Sequence, residues 1–228
     1  MRDDSAQNLK RILANTSLFR MLDDRQLDDI TTATQPIRAS TNTSVINQGD
    51  PPKGVFVVVY GQVKIGFDRK DGSEKTLCIL DQNKCFGLGE MLLDRAHIAF
   101  VKTTVDSMLL HVARESVMAV AKNNFTFAQE LMICVGRQLY TLTRDIESYS
   151  MQTAKQRLAG YLLRQSQYQA DECIDLIASK TLIASRLSLT PETLSRLLHD
   201  FSSEGLVTVA GRRIKILDYE KMGALLNA

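Results

Sequence analysis

The sequence predicts an α+β protein in three parts: a β-roll with a helical preface, one long helix, and a winged helix-turn-helix. Three observations predict it. From Pro36 to about residue 112, short apolar runs alternate with turn residues. Over residues 124–153, apolar positions recur by threes and fours. Residues 179–216 hold two short helical patterns followed by a strand pair. The expected domains are residues 1–123, a linking helix over 124–153, and residues 154–228.

The preface is read from Leu9, Ile12 and Leu13, one amphipathic helix, and from Asp23-Asp24-Arg25-Gln26-Leu27 with Ile30, a second. Next, Val55-Phe56-Val57-Val58-Val59-Tyr60 is a dense strand run bounded by Gly54 and Gly61. Val63, Ile65 and Phe67 alternate, Asp71-Gly72 marks a hairpin, and Leu77 and Ile79 alternate around Cys78. Residues 101–112 supply another strand pair. Such closely spaced strands imply a sandwich or jelly roll of about 80 residues.

In the long helix, Ala128, Met132, Val135, Leu139, Leu142, Ile146, Tyr149 and Thr153 are spaced by four and three in turn. That heptad seam predicts a parallel homodimer, with Met132, Val135, Leu139, Leu142, Ile146 and Tyr149 facing the partner helix. Packing of the stripe on its own roll is the competing reading.

Residues 179–216 carry the most information. Leu194, Leu197, Leu198 and Phe201 form an apolar stripe, and Glu192, Ser195, Arg196 and His199 repeat its spacing on the opposite side. Thr190 is placed to cap this helix and Pro191 to occupy its first position. Ser179 can cap a preceding helix bearing Leu182, Ile183 and Leu187, with Ser188-Leu189 as connector. Val207 and Val209, then Ile214 and Ile216, alternate around Ala210-Gly211-Arg212-Arg213, a hairpin with a basic tip. Glu, Ser and Arg can read base edges in a major groove, and a basic hairpin tip can touch phosphate. The expected DNA contacts are Lys180, Thr190, Glu192, Thr193, Ser195, Arg196, His199, Arg212 and Arg213. A dimer suits this element, because two recognition helices one DNA turn apart read a palindrome.

Charge supports a local footprint only. The 228 residues carry 28 basic and 26 acidic side chains, a net charge of +2. Within 179–216, six basic residues face three acidic ones, which leaves +3. Apolar residues make up 44% and charged residues 24%, ordinary for a soluble globular chain. The start MRDDSAQNLKR has no apolar signal region, and no run reaches membrane-spanning length, so a cytoplasmic protein without membrane contact is expected. Cys78, Cys85, Cys134 and Cys173 match no zinc spacing and are expected to be reduced.

The order of roll, long helix and winged helix-turn-helix resembles the CRP/FNR superfamily of bacterial transcription regulators. Ser179-Lys180 with Ile183-Ala184, Thr190-Pro191-Glu192-Thr193-Leu194-Ser195-Arg196, and Gly61-Gln62-Val63-Lys64 carry the resemblance. Glu192-x-x-Ser195-Arg196 is similar to the fumarate-nitrate-reduction branch and to its nitrogen-oxide-responsive, DNR-like members. The catabolite-activator branch has an arginine where this chain has Pro191. The resemblance implies a cyclic-nucleotide-binding-like roll, a TTGAT-like half-site repeated as a palindrome, and RNA polymerase as a partner.

For the effector, the resemblance points to a phosphate cassette that begins with Gly-Glu and ends with Arg-Ser/Thr-Ala. Gly87-Leu88-Gly89-Glu90 matches the beginning, and Met91 follows. The end reads His97-Ile98-Ala99, without the phosphate-clamping arginine. The expected pocket is Gly87, Leu88, Gly89, Glu90, Met91, His97 and Ile98, a vestigial cassette filled by Leu88, Met91 and Leu92. An iron–sulfur cluster is not expected, since no cysteine precedes Cys78. Haem stays open, with His97 or His111 as the candidate axial ligand, although a non-ligand histidine is the expected reading for each. The cofactor and effector, a small molecule or gas, are thus unassigned.

The function expected is a DNA-binding transcription regulator with an allosteric sensor and no enzymatic activity. A cyclic-nucleotide-responsive regulator is the first alternative and a small-molecule-binding barrel enzyme the second. Three histidines in total disfavour the enzyme, since a metal-dependent barrel needs several convergent ligands.

Overall fold

The computed structural model describes residues 2–169, 173–176 and 178–227. The chain falls into two compact units, residues 1–73 with 77–140, and residues 141–228 with Glu74–Thr76.

The first unit opens with α1 (Arg2–Ala14) and α2 (Asp24–Thr32). Asp23 caps α2 reciprocally: its carboxylate accepts from the Gln26 amide at 2.8 Å, and Gln26 Oε1 accepts from the Asp23 amide. Eight strands follow: β1 (Thr34–Ala39), β2 (Ser44–Ile46), β3 (Gly54–Tyr60), β4 (Val63–Asp68), β5 (Glu74–Leu80), β6 (Cys85–Phe86), β7 (Phe100–Thr103) and β8 (Ser107–Ala113). They form two four-stranded sheets, in the orders β1-β8-β3-β6 and β2-β7-β4-β5. Three helices are interleaved with or follow them: α3 (Leu88–Leu93), α4 (Arg114–Asn123) and α5 (Phe125–Met151).

Strand β3 explains its own dense apolar run. Val55 and Val57 point into a core shared with Leu13, Phe19, Ile30, Leu110 and Phe127. Phe56 and Val58 point the other way, into a second core with Ile46, Val63, Val101 and Leu109. A strand covered on both faces has no polar alternation to keep. Asn124 caps α5, its side-chain oxygen accepting from the Phe127 amide at 3.0 Å. The first turns of α5 bury Phe127 and Leu131 in the first core.

The helix ends at Met151, two residues short of the expected seam. Thr153 belongs instead to the cap of α6 (Ala154–Gln169). Its amide donates to Gln156 Oε1 at 2.8 Å while its hydroxyl accepts from the Gln156 amide. A threonine with that reciprocal pair starts a new helix in preference to extending the old one.

The second unit continues with β9 (Cys173–Asp175), α7 (Lys180–Arg186), α8 (Pro191–Ser203), β10 (Val207–Ala210), β11 (Arg213–Ile216), α9 (Tyr219–Ala224) and a closing 3-10 turn (Leu225–Asn227). Strands β10, β11 and β9 make a three-stranded antiparallel sheet. Leu158 and Leu162 of α6, Ile183 of α7, Leu194 and Leu198 of α8, and Ile214 of β11 line one interior. Among the described residues, no helix is long and apolar enough to cross a membrane.

Helix α8 ends in a Schellman turn. The Leu206 amide donates to the Phe201 carbonyl at 2.8 Å and the Gly205 amide to the Ser202 carbonyl at 3.1 Å. Gly205 sits at φ +69, and a Cβ there would meet no atom within 4 Å. Gly205→Ala should therefore cost about 1 kcal/mol through backbone strain alone. A thermal unfolding comparison tests this, with Gly205→Asn expected to lose less.

Candidate nucleic-acid interface

The helix-turn-helix is fixed by hydrogen bonds at every end. The Ser179 hydroxyl accepts from the Leu182 amide and starts α7. A second Schellman turn stops it: the Leu189 amide donates to the Ala184 carbonyl at 2.9 Å, and the Ser188 amide to the Ser185 carbonyl at 3.3 Å. Ser188 takes the left-handed conformation at φ 57, a place that glycine more often fills. Thr190 then caps α8, accepting from the Thr193 amide at 3.2 Å, with Pro191 in the first turn.

These ends set the rotation of α8. Leu194, Leu198 and Phe201 are buried and Leu197 is partly so, while Glu192, Ser195, Arg196 and His199 are all exposed. Lys180 and Thr190 are exposed as well, and Thr193 is half-buried beside the cap. The Glu192 carboxyl is held below the usual carboxylate range, first by its own backbone amide and then by the Thr190 hydroxyl. It presents an acceptor-only side chain one helical turn before Arg196.

The hairpin pairs Ala210 with Arg213, which leaves Gly211 and Arg212 as a two-residue turn with Gly211 at φ +63. Both arginines are exposed. Arg212 also has a structural duty. Its Nη2 and Nε donate to the Leu176 carbonyl at 3.0 and 3.3 Å, and the Leu176 amide donates back to the Arg212 carbonyl at 2.8 Å. The hairpin tip is thereby fastened to the end of β9, a strand that no sequence pattern announced.

The seam expected on α5 divides. Met132, Leu139, Leu142 and Ile146 are exposed apolar side chains. Val135 packs partly on the core of its own unit. Tyr149 is half-buried, and its hydroxyl donates to the Arg186 carbonyl within the second unit. Helical period alone cannot separate a stripe facing a partner from side chains that the same chain covers.

In the roll, Gly87 precedes the short α3, and Leu88 and Met91 are fully buried in the first core. Leu92, expected to fill the same space, is 37% exposed, and Ile98 is exposed too. The buried His97 places Nδ1 3.9 Å from Glu90 Oε1, and its ring lies close to Gly87. Gly89 and Glu90 are partly buried, and Arg95 is exposed.

Two family models match the chain. Residues 36–124 match the cyclic nucleotide-binding domain and residues 156–225 the Crp-like helix-turn-helix domain. The chain belongs to the CRP/FNR family of transcription regulators. It is similar to the CRP-like cAMP-activated global transcriptional regulator of Mycobacterium tuberculosis, 22% identical over 94% of this chain and 98% of that one. The fold resembles FixK2 from Bradyrhizobium japonicum, with a TM-score of 0.78, 22% identity, and 84% and 96% of the two chains covered. DNR from Pseudomonas aeruginosa is 27% identical with a TM-score of 0.50, covering 94% of this chain and 96% of that one.

This CRP/FNR protein is thus a DNA-binding transcription regulator with a sensor domain, and the proteins it resembles are themselves regulators. Of its two sensor histidines, His111 does not fit axial haem ligation through Nε2. His111 stacks at a tilt on Phe56, ring centroids 4.7 Å apart. Its Nε2 is buried without a hydrogen-bond partner among the described residues, against the backbone of Gly54, where even an added methyl would lie 2.9 Å away. A macrocycle needs far more room on that nitrogen. His97 is enclosed by Glu90 and Gly87. Among the described residues, no group of three or more His, Cys, Asp or Glu could hold a metal ion. Burial pushes the Cys85 thiol up to about 12, with Cys134 adding to the shift, and burial also raises Cys134. Both pack on the same apolar core, as inert thiols do.

Burial lowers the pKa of His111, offset in part by the Lys53 backbone. The unfolded chain then binds the extra proton first, so stability is fully present above about pH 6.5 and is lost as pH falls toward the folded value. The melting temperature should fall between pH 7.5 and 5.5, and His111→Phe should reduce that fall. An identical fall in both proteins would remove His111 from the account.

Proposed function

We propose that this regulator works in the cytoplasm as a homodimer reading an inverted repeat of TTGAT-like half-sites. The observation that carries the reading is the exposed row Glu192, Ser195, Arg196 and His199 on a helix whose other face is buried. Arg196 donates two hydrogen bonds to guanine, Glu192 accepts from the amino group of the paired cytosine, and Ser195 packs beside a thymine methyl. Lys180, Thr190, Thr193, Arg212 and Arg213 hold the backbone, and His199 extends the row by one turn.

The exposed Met132, Leu139, Leu142 and Ile146 of α5 supply the dimer contact. A parallel pair of such helices sets two α8 helices about 34 Å apart, one turn of DNA. In domain terms, residues 1–123 sense, 124–153 join the protomers and 154–228 bind DNA. The sensor controls operator binding by favouring one setting of the two DNA modules, and the bound dimer acts on RNA polymerase. The buried Leu88 and Met91, with His97 in place of a phosphate-clamping arginine, favour an effector other than a cyclic nucleotide.

Arg196→Ala should lower the preference for operator over a guanine-substituted site by about 1–3 kcal/mol per half-site while leaving the dimer intact. Gel shift and sedimentation together test this, and a variant that still selects its operator normally defeats the assignment. Leu142→Glu with Ile146→Glu should give monomers whose operator affinity falls at least about a hundredfold, since each half-site is then bound alone.

A further inference from the structure

Within the second unit, α5 and α7 are joined by contacts that bypass the chain between them. Arg186 Nη2 of α7 meets Asp145 Oδ2 of α5 at 3.1 Å, with side chains only 17% and 20% exposed. One turn further along α5, the Tyr149 hydroxyl donates to the backbone carbonyl of the same Arg186. Arg157 of α6 closes the triangle: its Nη1 donates to the Gln152 carbonyl at 2.7 Å and its Nε to the Leu187 carbonyl at 3.0 Å.

The surrounding charge makes Asp145 hard to replace. The partly buried guanidinium of Arg164 feels both Arg144 and Arg186, and Asp145 is the carboxylate that offsets them. Without it, the partly buried Arg164 and Arg186, with the exposed Arg144 beyond them, would repel one another with less to offset the repulsion. None of Asp145, Tyr149 and Arg186 belongs to the exposed row of α8.

The covalent route from α5 to α6 is only Gln152-Thr153, since α5 ends at Met151 and α6 begins at Ala154. Both link residues are hydrogen-bonded into the helices they join, Gln152 to Ser148 and Thr153 to Gln156. The contacts to Arg186 add a second tie between α5 and the helix-turn-helix, and the Schellman turn at Ser188 carries that tie on to α8.

We infer that Asp145, Tyr149 and Arg186 are positioning residues that set the spacing between the two half-sites the dimer accepts, and not the base sequence of either. This rests on the proposed homodimer and palindrome. Each added base pair moves a half-site by about 3.4 Å and turns it by roughly a tenth of a helical turn. A rigidly latched dimer refuses that double displacement, whereas a loosened one follows it.

The test uses the full-length protein with Asp145→Asn, Tyr149→Phe and Asp145→Glu. Affinity is measured for palindromes whose central spacer is native, or one or two base pairs longer or shorter. The same measurement is made on a native-spaced site with one half-site guanine replaced. The wild type should lose at least about tenfold per base pair of spacer change. Asp145→Asn and Tyr149→Phe should lose about threefold or less, with the guanine penalty unchanged, and Asp145→Glu should restore much of the spacer preference. Tyr149→Phe deletes a single hydroxyl, so it carries the test if Asp145→Asn does not fold. Unchanged spacer profiles in the variants overturn the inference, and so does a guanine penalty that falls in step with the spacer penalty. If the wild type selects the guanine but ignores spacing, this inference fails and the operator reading stands. If it selects neither, both fail.

Discussion

The point at which α8 begins is the constraint from which the DNA-reading geometry follows. An α-helix turns by about 100° per residue, so a start displaced by one residue would swing Arg196 off the solvent face toward the core. Thr190 and Pro191 prevent that displacement. The hydroxyl satisfies an amide that would otherwise lack a partner, and the ring sits where no amide is needed. Burial of Leu194, Leu198 and Phe201 then secures the same rotation from the opposite side. Cap and core agree, and the exposed row of Glu192, Ser195, Arg196 and His199 is the face left over.

In the roll, packing claims part of the segment that resembles a phosphate cassette. A cassette that holds a phosphate needs space and a fixed cation. Here Leu88 and Met91 lie in the same core as Val55, Val57 and Phe127, and His97 turns to Glu90. Emptying that region would expose apolar surface worth about 2 kcal/mol for each large side chain.

How much was legible in the sequence depended on whether a signal was local. The caps at Ser179 and Thr190, the basic hairpin and the strand at Val55 are read from neighbours within a few residues, and each is formed as expected. Leu92 illustrates a limit of register: of Leu88, Met91 and Leu92 on one short helix, the first two enter the core and the third turns outward. Tyr149 and Thr153 fit the heptad by spacing, yet one hydrogen-bonds to Arg186 and the other caps α6. The period was correct, but what the side chains met depended on residues far along the chain. Strand β9 is three residues long and, among the described residues, pairs with β11 alone, and Arg212 holds its end through a contact that spans 36 positions. No window of neighbouring residues contains that information.

The left-handed Ser188 has a mechanical consequence. A residue with a side chain held in that conformation costs about 1 kcal/mol or more, yet the turn persists because two backbone hydrogen bonds close over it. Flexing the junction between α7 and α8 would break both bonds and gain little. The two helices therefore behave as one stiff lever, pinned at Arg186 and tipped by the exposed row of α8. Displacement delivered at the pin reaches the tip as rotation of the whole piece, and the geometry among Glu192, Ser195 and Arg196 passes through the motion unaltered.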